Sequence, residues 1–348
     1  TTCRSCGSSN LETIIAFGST PLADRLLTAD QLAQPEYVAD LTLTFCHDCS
    51  LAQIVETVDP EILFYAEYPY FSSVSPSLMR HFRESALDVL AERDLDESSL
   101  VVEAASNDGY MLRNFVEAGI PVLGIDPAQA PAEKAQENGI QTMITFFGSD
   151  LAEELVAEGK KADVFLGNNV LAHVPDLNGF VQGIATLLAD DGVAVIECPH
   201  VLELIRHVEF DTIYHEHLCY FSVTALDRLF RRHSLYLNEV KHLPIHGGSL
   251  RLYLEKTENA GSSVREMLAV EKAEKVDQIS YYRDFSGRVQ GIKRTLTTLL
   301  KNLKTEGKTI AAYGAAAKGS TLINYGGIGK ESVNFVVDRN VDKPGRYM

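Results

Sequence analysis

Two closely spaced cysteine pairs constrain the fold of this chain more than any other feature of its sequence. Cys3 and Cys6 form one CxxC pair, and Cys46 and Cys49 form the second. Together they offer four thiolates, the number that a tetrahedral Zn²⁺ takes, and leave no coordination position open. The pattern therefore predicts a structural zinc site in the N-terminal segment. Four unligated core cysteines are the alternative, and His47 is an alternative ligand in place of one cysteine.

Length and charge narrow the remaining possibilities. A chain of 348 residues suits two or three domains, and its formal net charge of −17 argues against a nucleic-acid partner. No apolar run reaches the length of a membrane span and the first residues lack a signal core, so we expect no membrane partner. Paired cysteines then favour a metal site in a reducing cytoplasm. The oligomeric state stays open, a monomer included.

The middle of the chain alternates apolar strand-like runs with amphipathic helical runs, which is typical of a doubly wound parallel α/β sheet. The predicted strands are 100–104, 122–126, 162–167 and 193–198, and the predicted helices are 77–95, 110–118, 130–138 and 177–188.

Residues 263–306 predict a long helix or a helix pair, followed by strands at 309–313 and 334–337. They indicate a second Rossmann-like unit that is incomplete here, so we expect the natural protein to be longer.

The first strand of the sheet ends in a turn of small and polar residues, where backbone could approach a nucleotide-like cofactor closely. Asp126, at the tip of the next strand, is placed to accept hydrogen bonds from a ribose diol. Asn168 and Asn169 follow a third strand at the same edge, although simple turn chemistry is the alternative for them. The turn lacks the GxGxxG pattern of dinucleotide dehydrogenases.

The densest group of titratable side chains is the run Tyr214, His215, Glu216 and His217. Two imidazoles, a carboxylate and a phenol could supply a general base and the groups that orient it. A metal site at the two histidines and a solvated loop with a core histidine are the alternatives.

With these motifs in place, the chain resembles the NDP-hexose C-methyltransferases of deoxysugar pathways in antibiotic producers. The resemblance runs nearly end to end. It is carried by the cysteine pairs, residues 68–73, 103–109 (the family's E-x-G-x-N-D-G), 168–175, 214–217, the Pro-Ile-His-Gly-Gly run 244–248 and the Tyr-Gly-Ala-Ala-Ala-Lys run 313–318.

The resemblance implies three domains. A small zinc-binding domain with a Tyr-rich substrate segment would span 1–75, and a Rossmann-like class I methyltransferase domain that binds S-adenosylmethionine would span 76–255. A helical connector and a truncated Rossmann-like domain would span 256–348. The implied substrate is a nucleotide-linked 4-keto-6-deoxyhexose, methylated at C-3 through an enolate that a histidine generates.

The resemblance also implies roles for individual residues. His217 would be the base, with the remaining catalytic group around the sugar at Tyr214, Glu216, His173, Tyr68 and Tyr70. The donor would be bound by Glu103, Ala105, Ser106, Asn107, Asp108, Gly109, Asp126, Pro127, Phe146, Phe147, Asn168 and Asn169. His246 and Lys318 would bind substrate. Spacing alone does not choose His217 over His215, His173 or His246, and for Lys318 a purely structural turn is the alternative.

Some residues depart from the family pattern. Ala105 stands where the family usually has Gly, Asp126-Pro127 replaces a more usual Glu-Pro, and Thr145 replaces an Asp before the two Phe residues. The other functions that stay open are O- or N-methylation, an NAD-linked sugar enzyme that uses the C-terminal unit, and a non-catalytic zinc-bearing interaction module.

Overall fold

The structure, a computed structural model, describes residues 1–63, 71–340 and 343–348. Tyr68 and Tyr70, which are expected near the sugar, lie outside the described residues. The chain divides into two compact units. Unit 1 consists of Thr1–Val58, His200–Ser222 and Glu271–Met348, and unit 2 consists of Asp59–Pro199 and Val223–Val270. Among the described helices, none is both long and apolar enough to span a membrane.

The strands, in chain order, are β1 (Leu11–Pro21), β2 (Val38–Cys46), β3 (Ala52–Ile54), β4 (Val101–Ala104), β5 (Val122–Ile125), β6 (Thr142–Met143), β7 (Ala162–Asn168), β8 (Leu188–Pro199), β9 (Cys219–Tyr220), β10 (Tyr236–Leu243), β11 (Ser249–Glu255), β12 (Ala311–Tyr313) and β13 (Phe335–Val337).

The helices are α1 (Pro60–Leu63), α2 (Pro76–Glu92), α3 (Arg113–Glu117), α4 (Gln129–Glu137), α5 (Ser149–Ala157), α6 (Leu177–Leu187), α7 (Val201–His207), α8 (Val223–Arg232), α9 (Ser262–Glu274), α10 (Phe285–Thr305) and α11 (Ala317–Gly326).

Unit 2 is built on a seven-stranded sheet with the order β10-β11-β8-β7-β4-β5-β6. The strands from β8 to β6 run parallel, and β11 runs antiparallel between β8 and β10. The central strands are buried along their whole length, which explains why they read as continuous apolar runs. The predicted doubly wound parallel sheet is confirmed, and the β10–β11 hairpin is an addition that the sequence reading missed.

Helix α2 packs on one face of this sheet. Ser75 caps it by accepting a hydrogen bond from the amide of Leu78, and Pro76 occupies its first turn. Phe82, together with one apolar stripe of the helix, packs into the core against Tyr110. The helix therefore begins just after Ser72 and Ser73, whose amides contact the turn that follows β4.

Helix α3 begins later than predicted. The expected start was residue 110, but the helix runs from Arg113 to Glu117. The backbone first makes a tight turn, in which the amide of Gly109 donates to the carbonyl of Ser106 and Gly109 takes a φ of 75°. A longer non-helical turn thus lies at the carboxyl end of β4.

Unit 1 contains a four-stranded antiparallel sheet with the order β1-β2-β3-β9. Because β9 pairs with β3, the polypeptide just before it, which carries the Tyr-His-Glu-His run, is held beside the N-terminal sheet. The C-terminal part of this unit pairs β12 and β13 in parallel around α11, as predicted for a Rossmann-like unit. The domain limits 1–75, 76–255 and 256–348 stay a prediction.

Candidate active site

The four cysteines of the two CxxC pairs come together in unit 1. Their sulfur atoms all lie within 4.8 Å of one another, with Cys3 Sγ 3.4 Å from Cys49 Sγ and Cys6 Sγ 3.6 Å from Cys46 Sγ. Burial raises the pKa of Cys46 to about 11, so four neighbouring thiolates need a cation to hold them ionised. The donor set therefore fits a closed, structural Zn²⁺.

Both cysteine pairs fold in the same way. In the first, the amide of Gly7 donates to the carbonyl of Cys3, and in the second the amide of Ser50 donates to the carbonyl of Cys46, each at 2.9 Å. Gly7 and Ser50 both take a positive φ, of 75° and 65°. His47, the alternative ligand, instead contacts Glu12 through Nε2 at 3.0 Å.

The turn after β4 alternates left-handed residues with ordinary ones. Ala105 has a φ of 55°, Asn107 of 50° and Gly109 of 75°. At Gly109 a Cβ would also lie 2.2 Å from Cδ1 of Ile140, so the end of that side chain would have to shift to make room. Ala105 therefore holds a strained backbone conformation at the position where the resemblance leads one to expect glycine.

Asp126 joins this turn to the next strand. Its Oδ2 accepts a hydrogen bond from the amide of Asn107 and its Oδ1 accepts one from the amide of Ala128, both at 2.8 Å. Burial raises the pKa of Asp126, against the opposing effect of these two amides. Each carboxylate oxygen keeps a lone pair with which it could accept a hydrogen bond from a ligand hydroxyl.

Glu103 and Asn168 meet at the carboxyl ends of β4 and β7. Nδ2 of Asn168 donates to Oε1 of Glu103 at 3.0 Å, and both side chains are buried. Burial raises the pKa of Glu103 to about 8, although the hydrogen bond from Asn168 works in the opposite direction. The pair lies where a ligand would meet the edge of the sheet.

Several buried polar atoms at this edge have no hydrogen-bond partner among the residues that the structure describes. They are Ser106 Oγ, Asp108 Oδ1 and Asn169 Oδ1. Buried polar atoms are normally paired, so a cluster of unpaired ones is what a polar ligand would satisfy. The unpaired atoms therefore suit a ligand such as S-adenosylmethionine, whose ribose, amine and carboxylate groups could pair with them.

The other residues expected around the donor differ in their burial. Pro127 follows Asp126 directly and is partly buried, whereas the side chain of Phe146 is 54% exposed. The ring of Phe147 packs on Phe165 and Phe180, with centroids 4.9 and 5.3 Å away. What Phe146 and Phe147 add to donor binding stays a prediction.

The structure brings Tyr214 and His217 together in unit 1. Nδ1 of His217 lies 2.8 Å from the carbonyl oxygen of Thr212, which can only accept, so Nδ1 carries the proton. Nε2 of the neutral ring is then the basic nitrogen, and the hydroxyl of Tyr214 lies 3.0 Å from it. The contact with Thr212 thus fixes which ring nitrogen could act as a general base.

His215 has a different environment. Its Nε2 donates to the main-chain carbonyls of Ala39 and Asp40, at 3.2 and 3.0 Å, and its side chain is buried. Burial lowers the pKa of His215, which keeps it neutral. His215 therefore anchors the loop to β2, a distinction that the spacing of the two histidines could not make.

His173 and His246 belong to unit 2. His173 closes a short helical turn in which its amide donates to the carbonyl of Val170, and it is partly buried. His246 is exposed and has a φ of 55°, and Gly247 and Gly248 also have positive φ values. Glycine adopts such angles freely, so the backbone strain in this turn lies at His246, and strain of this kind often marks a functional site.

Lys318 lies in the first turn of α11 in unit 1. Its charge acts on Glu209 and Asp211, whose pKa values are nevertheless raised, mainly by burial. The preceding turn already uses the amide of Ala315, which donates to Asp338 at 2.7 Å. Lys318 is thus a cation with acidic neighbours, and its role in substrate binding stays a prediction.

Sequence reasoning missed three contributors to these sites. The carbonyl of Thr212 fixes the tautomer of His217, and the amides of Ser72 and Ser73 donate to the side chains of Asn107 and Asp108. Main-chain groups leave no signal in residue type. For the two serines, the only signal was their place in the segment 68–73.

Three family models match the chain in consecutive segments. They are described as "Putative zinc binding domain" over residues 3–64, "Methyltransferase domain" over 77–240 and "C-methyltransferase C-terminal domain" over 244–348. Together they account for the zinc site, the seven-stranded sheet and the C-terminal Rossmann-like unit.

Two sequence relatives agree with these models, since both are methyltransferases. The C-methyltransferase NovU of Streptomyces niveus is 34% identical over 350 residues, covering 99% of this chain and 83% of NovU. A ubiquinone biosynthesis O-methyltransferase of Bartonella quintana is 28% identical over 101 residues, which cover 29% of this chain and 41% of the relative. Among solved structures, the CcbJ methyltransferase of Streptomyces caelestis is 14% identical with a TM-score of 0.42, covering 54% of this chain and all of CcbJ.

The relative that matches almost the whole chain is a C-methyltransferase, and each family model falls on the part of the structure that its description names. Methyl transfer therefore takes the place of the NAD-linked and non-catalytic alternatives. The chain belongs to the C-methyltransferase family, as an S-adenosylmethionine-dependent enzyme with a class I methyltransferase domain and a structural zinc site.

Proposed function

We propose that this enzyme methylates C-3 of a nucleotide-linked 4-keto-6-deoxyhexose, with His217 as the base that removes the C-3 proton. The observation that carries the proposal is the tautomer of His217, since the Thr212 carbonyl holds Nδ1–H and leaves Nε2 basic beside Tyr214. A sugar C–H is acidic only next to a carbonyl, so a base of near-neutral pKa requires a ketone at the adjacent carbon.

The reaction then has a defined balance of bonds. Nε2 of His217 takes the proton, and the C–H electron pair forms the enolate, whose negative charge lies on the C-4 oxygen. The C-3 carbon would then form a bond to the activated methyl group that S-adenosylmethionine carries when bound, as the methyl–sulfur bond breaks and S-adenosylhomocysteine leaves. The proton on His217 is afterwards lost to water.

Tyr214 has two tasks in this proposal. In the free enzyme its hydroxyl donates to Nε2 of His217, 3.0 Å away. When the sugar binds, the hydroxyl hydrogen would rotate away from Nε2, which leaves the Nε2 lone pair to take the C-3 proton, and the same hydroxyl would then donate to the enolate oxygen, where positioned donors lower the barrier. The switch needs only rotation of the hydroxyl hydrogen.

The donor would lie at the carboxyl edge of the unit 2 sheet. Asp126 would accept from the ribose hydroxyls, and the unpaired atoms of Ser106, Asp108 and Asn169 would contact its polar groups. The enzyme's main contribution to the transfer would then be to position the methyl group in line with C-3. Four reduced thiolates in the zinc site fit a reducing compartment such as the cytoplasm.

The test uses dTDP-4-keto-6-deoxyglucose as the acceptor, with release of S-adenosylhomocysteine and the ¹³C spectrum of the product as readouts. We expect a new C–CH₃ signal at C-3 and no transfer to the same sugar after reduction of its ketone. Methylation of the reduced sugar would favour O-methylation instead.

His217→Asn should lower turnover by at least about 10³-fold and abolish exchange of the C-3 hydrogen in D₂O, because the substitution removes the Nε2 that accepts this proton. Its affinity for S-adenosylmethionine, measured by calorimetry, should stay within about twofold. His215→Asn is the matched control: it should lower Tm, since it weakens an anchor on β2, while exchange at C-3 continues. Normal turnover in His217→Asn would overturn the assignment.

A further inference from the structure

A group of charged side chains in unit 2 takes no part in the proposed reaction. Arg251 and Glu197 face each other across β11 and β8, and the guanidinium donates to Oε2 of Glu197 through Nε and Nη2, each at 3.2 Å. Glu197 is fully buried and Arg251 is 4% exposed. The ion pair therefore belongs to the interior of the unit.

His81, on helix α2, completes this group. Its Nε2 lies 2.8 and 2.9 Å from the two carboxylate oxygens of Glu197. A carboxylate only accepts hydrogen bonds, so Nε2 carries the proton and donates it to Glu197. Nη2 of Arg251 lies 3.3 Å from Nε2, because both donors share the one carboxylate. Nη1 of Arg251 lies 3.8 Å from the carboxylate of Asp88, which is also on α2.

The adjacent row of the same sheet shows that α2 does not need charged partners in order to pack. In that row Leu166, Val195 and Tyr253 pair across β7, β8 and β11, and all three belong to the buried core on which α2 lies. A buried ion pair adds little net stability over apolar side chains, because its charges lose their hydration. The charged row is the one nearer the carboxyl edge, where Glu197 pairs with Asn168. Its place indicates a role at the donor edge rather than in stability alone.

Helix α2 connects the charged row with the turn that follows β4. His81 lies in the second turn of the helix. Just before the helix, the amide of Ser72 donates to Oδ1 of Asn107 at 2.9 Å, and the amide of Ser73 donates to Oδ2 of Asp108 at 3.3 Å. A residue that fixes the start of α2 therefore also fixes these two amides.

The contact with Ser73 matters for the donor because it orients the carboxylate of Asp108. Oδ2 of Asp108 is used by Ser73, whereas Oδ1 is buried and has no hydrogen-bond partner in the part of the chain that the structure describes. An oxygen in this state suits the amine of S-adenosylmethionine, which only donates when charged. A shift of the start of α2 would release Ser73 and let this carboxylate turn away.

We propose that His81 is a positioning residue for methyl-donor binding: its hydrogen bond to Glu197 holds the start of α2 on the sheet and so keeps Ser72 and Ser73 on the donor turn. The inference rests on the proposed place of the donor at this turn. His81 acts through the helix and needs no contact with the donor itself.

His81→Leu should raise the Kd for S-adenosylmethionine at least about tenfold, because binding would then have to order the segment before α2. His81→Gln keeps a side-chain donor for Glu197, so its Kd should stay within about threefold of the parent value. Calorimetric titration measures both. Equal weakening in the two variants would overturn the role of the hydrogen bond.

Arg93→Leu is the matched control. Arg93 caps the other end of α2 and pairs with Glu255 of β11 at 2.5 Å, so its loss also removes a charged contact between the helix and the sheet. Both Leu variants should lower Tm, but Arg93→Leu should change the Kd by less than about twofold, because it is far from the start of the helix. Equal losses of affinity would mean that general destabilisation is the cause, and would overturn the positioning role.

Ser72→Pro tests whether the effect passes through the segment before the helix. Proline removes the amide donor, and the preceding residue, Phe71, already has the extended backbone that proline requires, with φ −115° and ψ 120°. In the Ser72→Pro background, the effect of His81→Leu on the Kd should shrink at least about threefold. An undiminished effect would contradict this route and overturn the proposal.

The hold of His81 on the segment can also be measured without the donor. Hydrogen exchange of the Ser72 and Ser73 amides, followed by NMR, should be at least about tenfold faster in His81→Leu than in the parent enzyme. Unchanged exchange would overturn the proposal. If Asp126→Ala binds S-adenosylmethionine as tightly as the parent does, the proposed donor site fails, whereas the exchange rates still support or overturn the hold of His81 on this segment.

Discussion

The enzyme contains two turns with the same hydrogen-bond pattern, and they differ in how deeply they are buried. One follows β4 in unit 2 and the other follows β12 in unit 1. In each, an Asp after the second strand accepts one hydrogen bond from the turn and one from the residue two positions further on. Asp126 accepts from Asn107 and Ala128, and Asp338 accepts from Ala315 and Asn340.

What differs is the surrounding sheet. The strands of the unit 2 turn are fully buried in a seven-stranded sheet, and Asp126 is 4% exposed. In unit 1, all three residues of β13 are exposed, and Phe335 is 54% exposed. Although partial burial of Asp338 works against it, the amides of Asn340 and Ala315 and the charge of Lys343 lower the pKa of this residue. The comparison teaches that the local motif caps its own backbone in both units, and that burial distinguishes the turn for which donor binding is proposed.

The largest difference between the two turns is expected when each Asp is replaced by Ala. Asp126→Ala is expected to raise the Kd for S-adenosylmethionine by at least about 100-fold, or about 2.7 kcal/mol, because a buried charged acceptor is lost and two amides are left unpaired. Asp338→Ala should change this Kd by less than about twofold. Calorimetric titration gives both values. Comparable weakening by the two variants would contradict the distinction between the turns.

The pH dependence of stability should separate the two turns as well. Burial raises the pKa of Glu103 from 4.5 to about 8, so the stability it contributes is present below about pH 4.5 and is lost as pH rises through 8. Glu103→Gln should therefore gain Tm relative to the parent enzyme between pH 5 and 9. Asp338, whose pKa is lowered, contributes stability above pH 3.8 that is lost only on acidification.

The control for this comparison is Asp338→Asn. Its Tm difference from the parent should be constant between pH 5 and 9 and should shrink only below about pH 4. A Tm difference for Glu103→Gln that does not change with pH would show that Glu103 is ionised throughout this range.

The glycines of the two turns offer a third comparison. Gly109→Ala would add a Cβ 2.2 Å from Ile140 at a φ of 75°, so backbone strain and a clash combine to cost about 2–5 kcal/mol. Gly314→Ala meets no atom within 4 Å, so only its φ of 100° matters, and the cost is about 1–3 kcal/mol. Urea titration of both variants measures the difference. A larger loss at Gly314 would mean that the two turns are ranked wrongly.

Much of this architecture was predictable from the sequence, for reasons that particular residues show. The buried parallel strands are continuous apolar runs, as at 101–104 and 122–125, and the CxxC spacing predicts the four-cysteine cluster. The start of α3 was wrong by three residues, because the turn at Gly109 forms before the helix. The hairpin of β10 and β11 was missed because its polar residues carry no simple alternation.

The candidate site could be predicted only in part. The sequence shows that His215 and His217 are two residues apart and of the same type. Which of them is an anchor and which a base depends on the main-chain carbonyl that each ring nitrogen contacts. The contact of His215 with the carbonyls of Ala39 and Asp40 joins positions far apart in the sequence, so no local pattern could predict it. Long-range contacts and main-chain acceptors are therefore the part that required the structure.

The smallest effect concerns the alanine that takes the place of a turn glycine. Ala105 has a φ of 55°, a conformation that costs an L-residue about 1–2 kcal/mol, whereas glycine adopts it freely. Glycine also loses more backbone entropy on folding, by about 0.5–1 kcal/mol, so Ala105→Gly should gain at most about 1.5 kcal/mol. Urea titration measures the gain. A loss of stability would instead mean that the methyl group of Ala105 packs favourably. Alanine would then suit this turn, just as glycine suits the corresponding position of the other turn, Gly314.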